Sequence, residues 1–379
     1  MTHYHHHQLH GLGRRDVLRA GAAAATLACA GQAIASTTPF RWEGSGQPSD
    51  RMAPDFAARL AQGVQSGEFA NLHAVFVARA GKVEAECYFE GQDERWGTPL
   101  GRVAFNASTL HDVRSVSKSI VGLLYGIALA QGMVPGLDTP VVDAFPAYPE
   151  LAGDARRREI RISNVLTMTM GLEWNEDLPY SDPRNSEIAM ERSKDRYRYV
   201  LERPIVGAPG ERWRYSGGAT ALLGHLIAKG SGMPLLEFAR EKLFAPMGID
   251  NVEWTAGTNG EAAAASGLRM RAPDLARIGQ LLLQRGEWNG RALVPKDWIA
   301  QSLTPRAEAF EGVQYGYHWY LLKSQDGSPA CMAIGLGGQR LVAIPALDLV
   351  YVIFMGNYYR QDQLKPLFAV QQLIRASLR

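Results

Sequence analysis

Ser115-Val116-Ser117-Lys118 opens a long apolar run. On a helix, a hydroxyl and an amine three residues apart share one face, about one turn from each other. An amine so placed, dehydrated by apolar neighbours, can accept a serine proton without any histidine. Ser115 alone would pass for an ordinary helix N-cap, but lysine in the middle of an apolar face is costly unless it is used. Two further segments carry groups of a matching kind. Trp213-Arg214-Tyr215-Ser216-Gly217-Gly218 presents a phenol just ahead of a helical run from Ala219, and Gly335-Leu336-Gly337-Gly338-Gln339 is a glycine-rich turn between apolar strand-like runs. Glycines in such a turn let the backbone approach a ligand closely. Together these groups suit nucleophilic attack on a carbonyl, with a proton passed between amine and phenol. The chain has no G-x-S-x-G, so the nucleophile elbow of the α/β-hydrolases is absent, and it has no phosphate-binding loop of the G-x-x-x-x-G-K type.

The elements that must position these groups follow from periodicity. A helix from Ser115 to Ala130 has apolar residues on all sides and is expected to be buried. Pro54 precedes an amphipathic helix through about Val64, and Leu72 to Ala80 and Val83 to Phe89 read as a hairpin around Ala80-Gly81-Lys82. Helices are expected at 139–145, 163–169, 186–203, 217–230, 234–245, 273–285 and 296–303. The chain then returns to strands at Tyr317–Leu322, Ala330–Ile334, Leu341–Ile344 and Leu349–Met355, and closes with a helix over Gln363–Leu378. Strands at both ends with helices between them predict an α/β (α+β) architecture in two parts. Residues 53–135 and 265–379 would form one antiparallel sheet flanked by helices, with 136–264 inserted as a mostly helical domain.

The three segments resemble the motifs of the serine β-lactamase and penicillin-recognising superfamily, in its class C-like branch. That branch includes D-amino-acid peptidases, esterases and 6-aminohexanoate-dimer hydrolases. Its motifs are S-x-x-K, then Y-x-N, then K-T-G or H-x-G. Tyr215-Ser216-Gly217 keeps the tyrosine but has Gly217 in place of asparagine, and Leu336-Gly337-Gly338 keeps the glycine but lacks the cation. Leu166-Thr167-Met168-Thr169-Met170-Gly171-Leu172, Pro209-Gly210-Glu211-Arg212-Trp213 and Gly267-Leu268-Arg269-Met270 are also typical of the branch. The resemblance spans about Ala74 to Val352. It implies a two-domain β-lactamase-like fold and acyl transfer through a covalent intermediate on Ser115. Lys118 and Tyr215 would handle protons, either of them as the base, and the backbone N–H groups of Ser115 and Gln339 would hold the oxyanion beside Gly337 and Gly338. In the loop Pro179-Tyr180-Ser181-Asp182-Pro183-Arg184-Asn185, Tyr180 and Asp182 would contact substrate, as a similarly placed loop does in 6-aminohexanoate-dimer hydrolases. The alternative for this loop is a surface turn chosen for its Pro and Asp. Without a cation at Leu336, unless Arg340 next door supplies one, uncharged esters or amides become favoured over β-lactams and D-alanyl peptides. A D-amino-acid peptidase or β-lactamase, or a non-catalytic binding or sensor module with the same fold, are the alternatives. On the family's sheet arrangement, Cys87 and Cys331 would lie on strands at different sides of the sheet and stay unpaired.

Composition bounds the setting. Gly13-Arg14-Arg15-Asp16-Val17-Leu18-Arg19, an alanine-rich run to Ala30 and the small-x-small site Ala33-Ile34-Ala35 read as a twin-arginine export signal over residues 1–35. Its apolar run is too short to span a bilayer, which takes about 20 residues, so no stable membrane anchor is expected. The signal implies the export machinery as a partner and a periplasmic or secreted protein. His3, His5, His6, His7 and His10 would leave with it. Residues 36–52, rich in Ser, Thr, Gly and Pro, read as a loose mature N-terminus. Beyond residue 35 the chain has 37 basic and 37 acidic residues, a balance that argues against nucleic acid. The expected partner is a small ester, amide or peptide-like substrate. His111 and His318 read as structural, no spacing suggests a metal site, and no cofactor is expected. Trp174, Trp213 and Trp319 are candidates to line the cleft.

Overall fold

The structure, a computed structural model, describes residues 42–43, 51–324, 327–360, 362 and 364–379. The leader with its histidines, and most of the 36–52 stretch, lie outside the described residues. The expected first hairpin is Leu72–Arg79 (β1) and Lys82–Tyr88 (β2), turning through Ala80 and Gly81 at positive φ. From the other end of the chain come Ala307–Phe310 (β3), Val313–Tyr315 (β4), Tyr320–Lys323 (β5), Pro329–Gly335 (β6), Gln339–Ile344 (β7) and Leu349–Met355 (β8). They join in the order β3-β4-β5-β6-β7-β8-β1-β2, every pairing antiparallel. The sheet is thus drawn from both ends of the chain.

Helices cover both faces of this sheet, so β1 is buried along nearly its whole length rather than on alternate residues. Its alternation still sorts side chains between two cores. Val75 and Val77 pack with Phe56 and Leu60 of helix Phe56–Ser66 (α1) and with Leu367, Val370 and Ile374 of helix Leu364–Ser377. Ala74, Phe76 and Ala78 face the larger core, which holds Ile120, Leu123 and Leu124 of helix Val116–Ala130 (α2). The same core continues through Leu222, Leu223 and Ile227 of helix Gly217–Ser231. Helix Ala272–Leu283 lies against the sheet within it.

Local outcomes differ from the expected elements in several places: β3 and β4 are not among those expected, and the helix expected at 139–145 is a 3-10 turn, Val141–Ala144. Glu90–Arg95 and Thr98–Ala104 pair as a further hairpin, hidden in the sequence by its charges and glycines. The helix expected over 186–203 is two helices, Ser186–Arg192 and Arg196–Leu201. Asp195 leaves helical geometry between them and its side chain accepts from the N–H of Arg198 at 3.0 Å, an N-cap that starts the second helix. The stretch 234–245 divides into Leu235–Ala239 and a π turn, Arg240–Phe244. Cys87 on β2 and Cys331 on β6 are free thiols, with β7, β8 and β1 between their strands.

Candidate active site

Short pairing places the first motif. His111–Asp112 pairs with Leu268–Met270, which pairs in turn with Glu253–Trp254. This fixes Ala265 and Ser266 beside the start of α2. Val113 and Arg114 then turn the chain, Arg114 at φ +50°. The Arg114 guanidinium is held by Glu94 and by Asp112 (3.3 Å) and lies 4.7 Å from the centre of the Tyr358 ring. A left-handed backbone at a non-glycine residue costs energy, and these carboxylates hold it there, immediately before Ser115.

Ser115 does not cap α2: its side chain accepts no backbone N–H of the first turn. Instead Lys118 Nζ donates to Ser115 Oγ at 3.0 Å and to the carbonyl of Ala265 at 3.1 Å. Lys118 is almost wholly buried, and its ammonium lies 4.8 Å from the centre of the Tyr215 ring. Tyr215 is hydrogen-bonded to Ser115. Burial first, then the Glu176 carboxyl group, push its phenol well above the ordinary range against that hydrogen bond. It is therefore a neutral O–H near pH 7. Ser216, next to it, caps the following helix by accepting from Ala219 N at 3.2 Å, which fixes where Tyr215 stands. Ser115, Lys118 and Tyr215 thus come together as one cluster.

A cavity of about 240 Å³ opens on Ser115, with Tyr180, Glu187, Leu336 and Trp96 among its walls. Leu336 belongs to the glycine turn, where Gly337 and Gly338 take φ of +87° and +104°. A Cβ on Gly337 would meet the Tyr358 ring at 2.5 Å, so glycine is required both by the turn and by that close approach. Gln339 is fully buried. Its side chain donates to the carbonyls of Met355 (2.6 Å) and Leu336 (3.0 Å) and accepts from Met355 N, locking the turn onto the end of β8. Arg340 does not line the cavity. It is buried, donates to the carbonyl of Gln339, and pairs with Ile353 of the core on the other face of the sheet.

The 174–187 segment divides the two loop candidates. Tyr180 reaches the cavity, its hydroxyl donating to Glu176 Oε2 at 3.1 Å. Asp182 does not line it: Arg184 grips both carboxylate oxygens, at 3.0 and 2.6 Å, and holds its pKa down to about 2. Asp182 also accepts from Arg184 N (2.9 Å), so it shapes the turn. Of the tryptophans, Trp174 and Trp319 are buried and Trp213 packs edge-on against Tyr315 and Tyr320. None of the three lines the cavity, whereas Trp96, on the unforeseen hairpin, does. His318 is buried, its ring bonded to Leu166 O and Thr220 Oγ1, while its carbonyl accepts from Ser119 of α2. His111 shares a 2.9 Å hydrogen bond with His73, and its other nitrogen donates to the carbonyl of Asp112.

Sequence reasoning missed two acidic residues. Glu187 Oε2 lies 3.9 Å from Lys118 Nζ, and Glu187 Oε1 accepts from Ser266 Oγ at 2.8 Å. Glu176 accepts from the N–H of Gly217 and from Trp174 Nε1 (2.6 Å). No motif marks either. The one available signal was Gly217 itself, since a missing side chain in a packed site leaves a space that something else must fill.

The chain is similar to known proteins in sequence and in fold. A family model described as Beta-lactamase matches residues 56–372. The 6-aminohexanoate-dimer hydrolase of Paenarthrobacter ureafaciens is 26% identical over 318 residues, covering 78% of this chain and 75% of that protein. Among solved structures, EstCE1, a hydrolase with promiscuous acyltransferase activity, superposes with a TM-score of 0.66 at 18% identity, covering 83% of this chain and 98% of its own. A class C beta-lactamase does so at 0.64 and 19% identity, covering 86% of this chain and 96% of its own. At those identities the structures speak for the fold alone. The sequence match runs through nearly every described element, from α1 to the C-terminal helix, and on that ground the chain belongs to the beta-lactamase family and is a hydrolase of the serine β-lactamase type.

Proposed function

We propose that this hydrolase cleaves small, uncharged esters or amides through an acyl-enzyme on Ser115. Lys118, as an amine, takes the serine proton while Oγ bonds to the carbonyl carbon and the carbonyl π pair moves onto oxygen. The backbone N–H groups of Ser115 and Gln339 receive that oxyanion. When the tetrahedral species collapses, the bond to the leaving group breaks. Tyr215 gives the leaving group its proton and recovers one from Lys118, and water then cleaves the acyl-enzyme by the same path in reverse. The observation that carries this reading is the 3.0 Å contact between a buried Lys118 Nζ and a Ser115 Oγ that caps no helix. The raised pKa of Tyr215 supports giving the base role to Lys118 and the donor role to the phenol.

Leu336 supports the substrate class. The family's cation position is here an apolar wall of the cavity, and an apolar wall offers nothing to a substrate carboxylate. Wild type and Ser115→Ala should be compared on p-nitrophenyl esters, the 6-aminohexanoate dimer and nitrocefin. Ester or amide turnover that vanishes in Ser115→Ala is expected, with nitrocefin turned over poorly. Nitrocefin turnover at the level of an ordinary class C enzyme would overturn the substrate class, and turnover surviving in Ser115→Ala would overturn the nucleophile.

The 1–35 segment supports export by the twin-arginine machinery to the periplasm or beyond. N-terminal sequencing of the protein recovered outside the cytoplasm should begin at Ser36. Retention in the cytoplasm when Arg14 and Arg15 are both replaced by lysine is the matching control.

A further inference from the structure

Gly217 stands where the resemblance expects an asparagine. A Cβ built there would lie 2.8 Å from Glu187 Oε2, 2.9 Å from its Cδ and 3.1 Å from Glu176 Oε1. The room an asparagine side chain would need is therefore already taken by two carboxyl groups. Their partners tie them to the catalytic cluster. Glu176 accepts from Gly217 N, from Trp174 Nε1 and, through Oε2, from the Tyr180 hydroxyl. Glu187 Oε1 accepts from Ser266, its buried Oε2 faces Lys118 Nζ at 3.9 Å, and the carboxyl group is also hydrogen-bonded to Glu176.

We infer that Glu187, backed by Glu176, is the positioning residue that holds Lys118 for proton exchange with Ser115, doing the work of the side chain that Gly217 lacks. This rests on the acyl-enzyme reading above. Two adjacent buried carboxyls resist ionising together. Burial and the neighbouring Glu187 raise Glu176 to about 8, so it keeps a proton at neutral pH. Burial also works to raise Glu187, but Lys118 and the hydrogen bonds from Glu176 and Ser266 outweigh it and hold Glu187 below its ordinary value. The pair thus carries one charge, opposite one ammonium. To act as a base, Lys118 must first release a proton, and Glu187 Oε2, 3.9 Å away, takes it once Nζ closes to hydrogen-bond distance. Ammonium and carboxylate become amine and acid, neutral forms that a buried site favours. The amine then takes the proton of Ser115 Oγ, Tyr215 protonates the leaving group and is reprotonated by Lys118, and the acid returns its proton to the amine so regenerated. The net movement is one proton from serine to leaving group.

Other groups facing the pair are Arg114 ahead of α2, Tyr215, Tyr180 on the loop and Glu191 one turn further along the helix that carries Glu187. Glu191 is raised by burial to about 7 and is paired with Arg196. As pH rises through about 8, Glu176 loses its proton, and the pair no longer balances Lys118 one charge for one. Activity should then fall.

The test uses the rate of fluorophosphonate labelling at Ser115 together with kcat and KM on a p-nitrophenyl ester, across pH 5–10 (on the order of the range that brackets these groups). Glu187→Gln should lower kcat and the labelling rate on the order of 100-fold with KM little changed. Glu176→Gln should remove the alkaline fall near pH 8. Gly217→Asn alone should be impaired by its clash with Glu187, yet the same change made in Glu187→Ala should recover activity about tenfold over Glu187→Ala, because the amide then has room beside Lys118. A Glu187→Gln enzyme with raised KM and unchanged kcat, or a double variant no better than Glu187→Ala, would overturn the inference. Should Glu187→Gln fail to fold, the pH profile of Glu176→Gln decides, and an alkaline fall that persists there rejects it. Wild type that labels at Ser115 while Glu187→Gln labels at the same rate sinks this inference alone; no labelling of wild type sinks the acyl-enzyme reading and this inference with it.

Discussion

Among single residues, the cluster separates two proton jobs by environment. Lys118 has three oxygens around its nitrogen, from Ser115, Ala265 and Glu187, so its position is determined whichever way the proton moves. Replacing it by methionine keeps the apolar packing of the stem. The expected loss in kcat/KM is about 100- to 10,000-fold, the usual worth of a positioned base, measured by steady-state ester hydrolysis. Tyr215 is a different case because its phenol is kept protonated. Tyr215→Phe should cost little on p-nitrophenyl esters, whose leaving group departs as a stable anion. It should cost tenfold or more on alkyl esters and amides, whose leaving groups need a proton. Equal losses on both substrate types would argue that Tyr215 acts at a step other than leaving-group departure.

Among the elements, the 174–187 segment shows how a loop becomes a rigid wall. Asn185 is fully buried, and its side-chain oxygen caps the helix that carries Glu187, accepting from Glu187 N (3.0 Å) and Ile188 N (3.3 Å). Its amide also donates back to the carbonyl of Leu178 at 2.7 Å, and Ser186 Oγ accepts from Asn175 N. The loop ends are thereby stitched together around Tyr180 and Glu176. Asn185→Ala removes a cap worth about 1–2 kcal/mol and leaves the Leu178 carbonyl without that donor. Urea unfolding should show that loss, and kcat should fall as well, since Glu187 and Tyr180 lose their common support. A stability loss with kcat unchanged would show that the loop's position does not matter to the chemistry.

Across the whole molecule, the eight-stranded sheet separates a catalytic face from a purely structural one. Leu367, on the C-terminal helix, is fully buried against Val75, Val77 and Ile353 on the face away from α2. Leu367→Ala should cost about 2–5 kcal/mol by opening a cavity, seen as an earlier urea midpoint. The kcat per active site, counted by fluorophosphonate titration, should stay at the wild-type value, because Leu367 packs on the face of the sheet away from the helix that carries Lys118. A fall in kcat per titrated site would mean the two faces are mechanically coupled through the sheet.

Much of this was legible in the chain. The S-x-x-K spacing alone put the hydroxyl and amine on one helical turn, since i and i+3 are neighbours on any α-helix. The β-rich runs of the first hairpin and the apolar runs near the C-terminus predicted a sheet built from both ends, because strand propensity and apolar runs are local properties read residue by residue. Tertiary structure alone decided what surrounds the amine. Glu187 and Glu176 reach Lys118 only because the 174–187 loop folds over the start of the Gly217–Ser231 helix, and no short-range pattern encodes such a meeting. The same holds for Tyr180 and Asp182, two residues apart in one loop. One faces the cavity and the other is taken by Arg184, a choice made by where the turn points rather than by what the residues are. Spacing sets which groups can share a face; the packing of distant segments sets which charges those groups meet, and in a buried site the charges met govern where the proton sits.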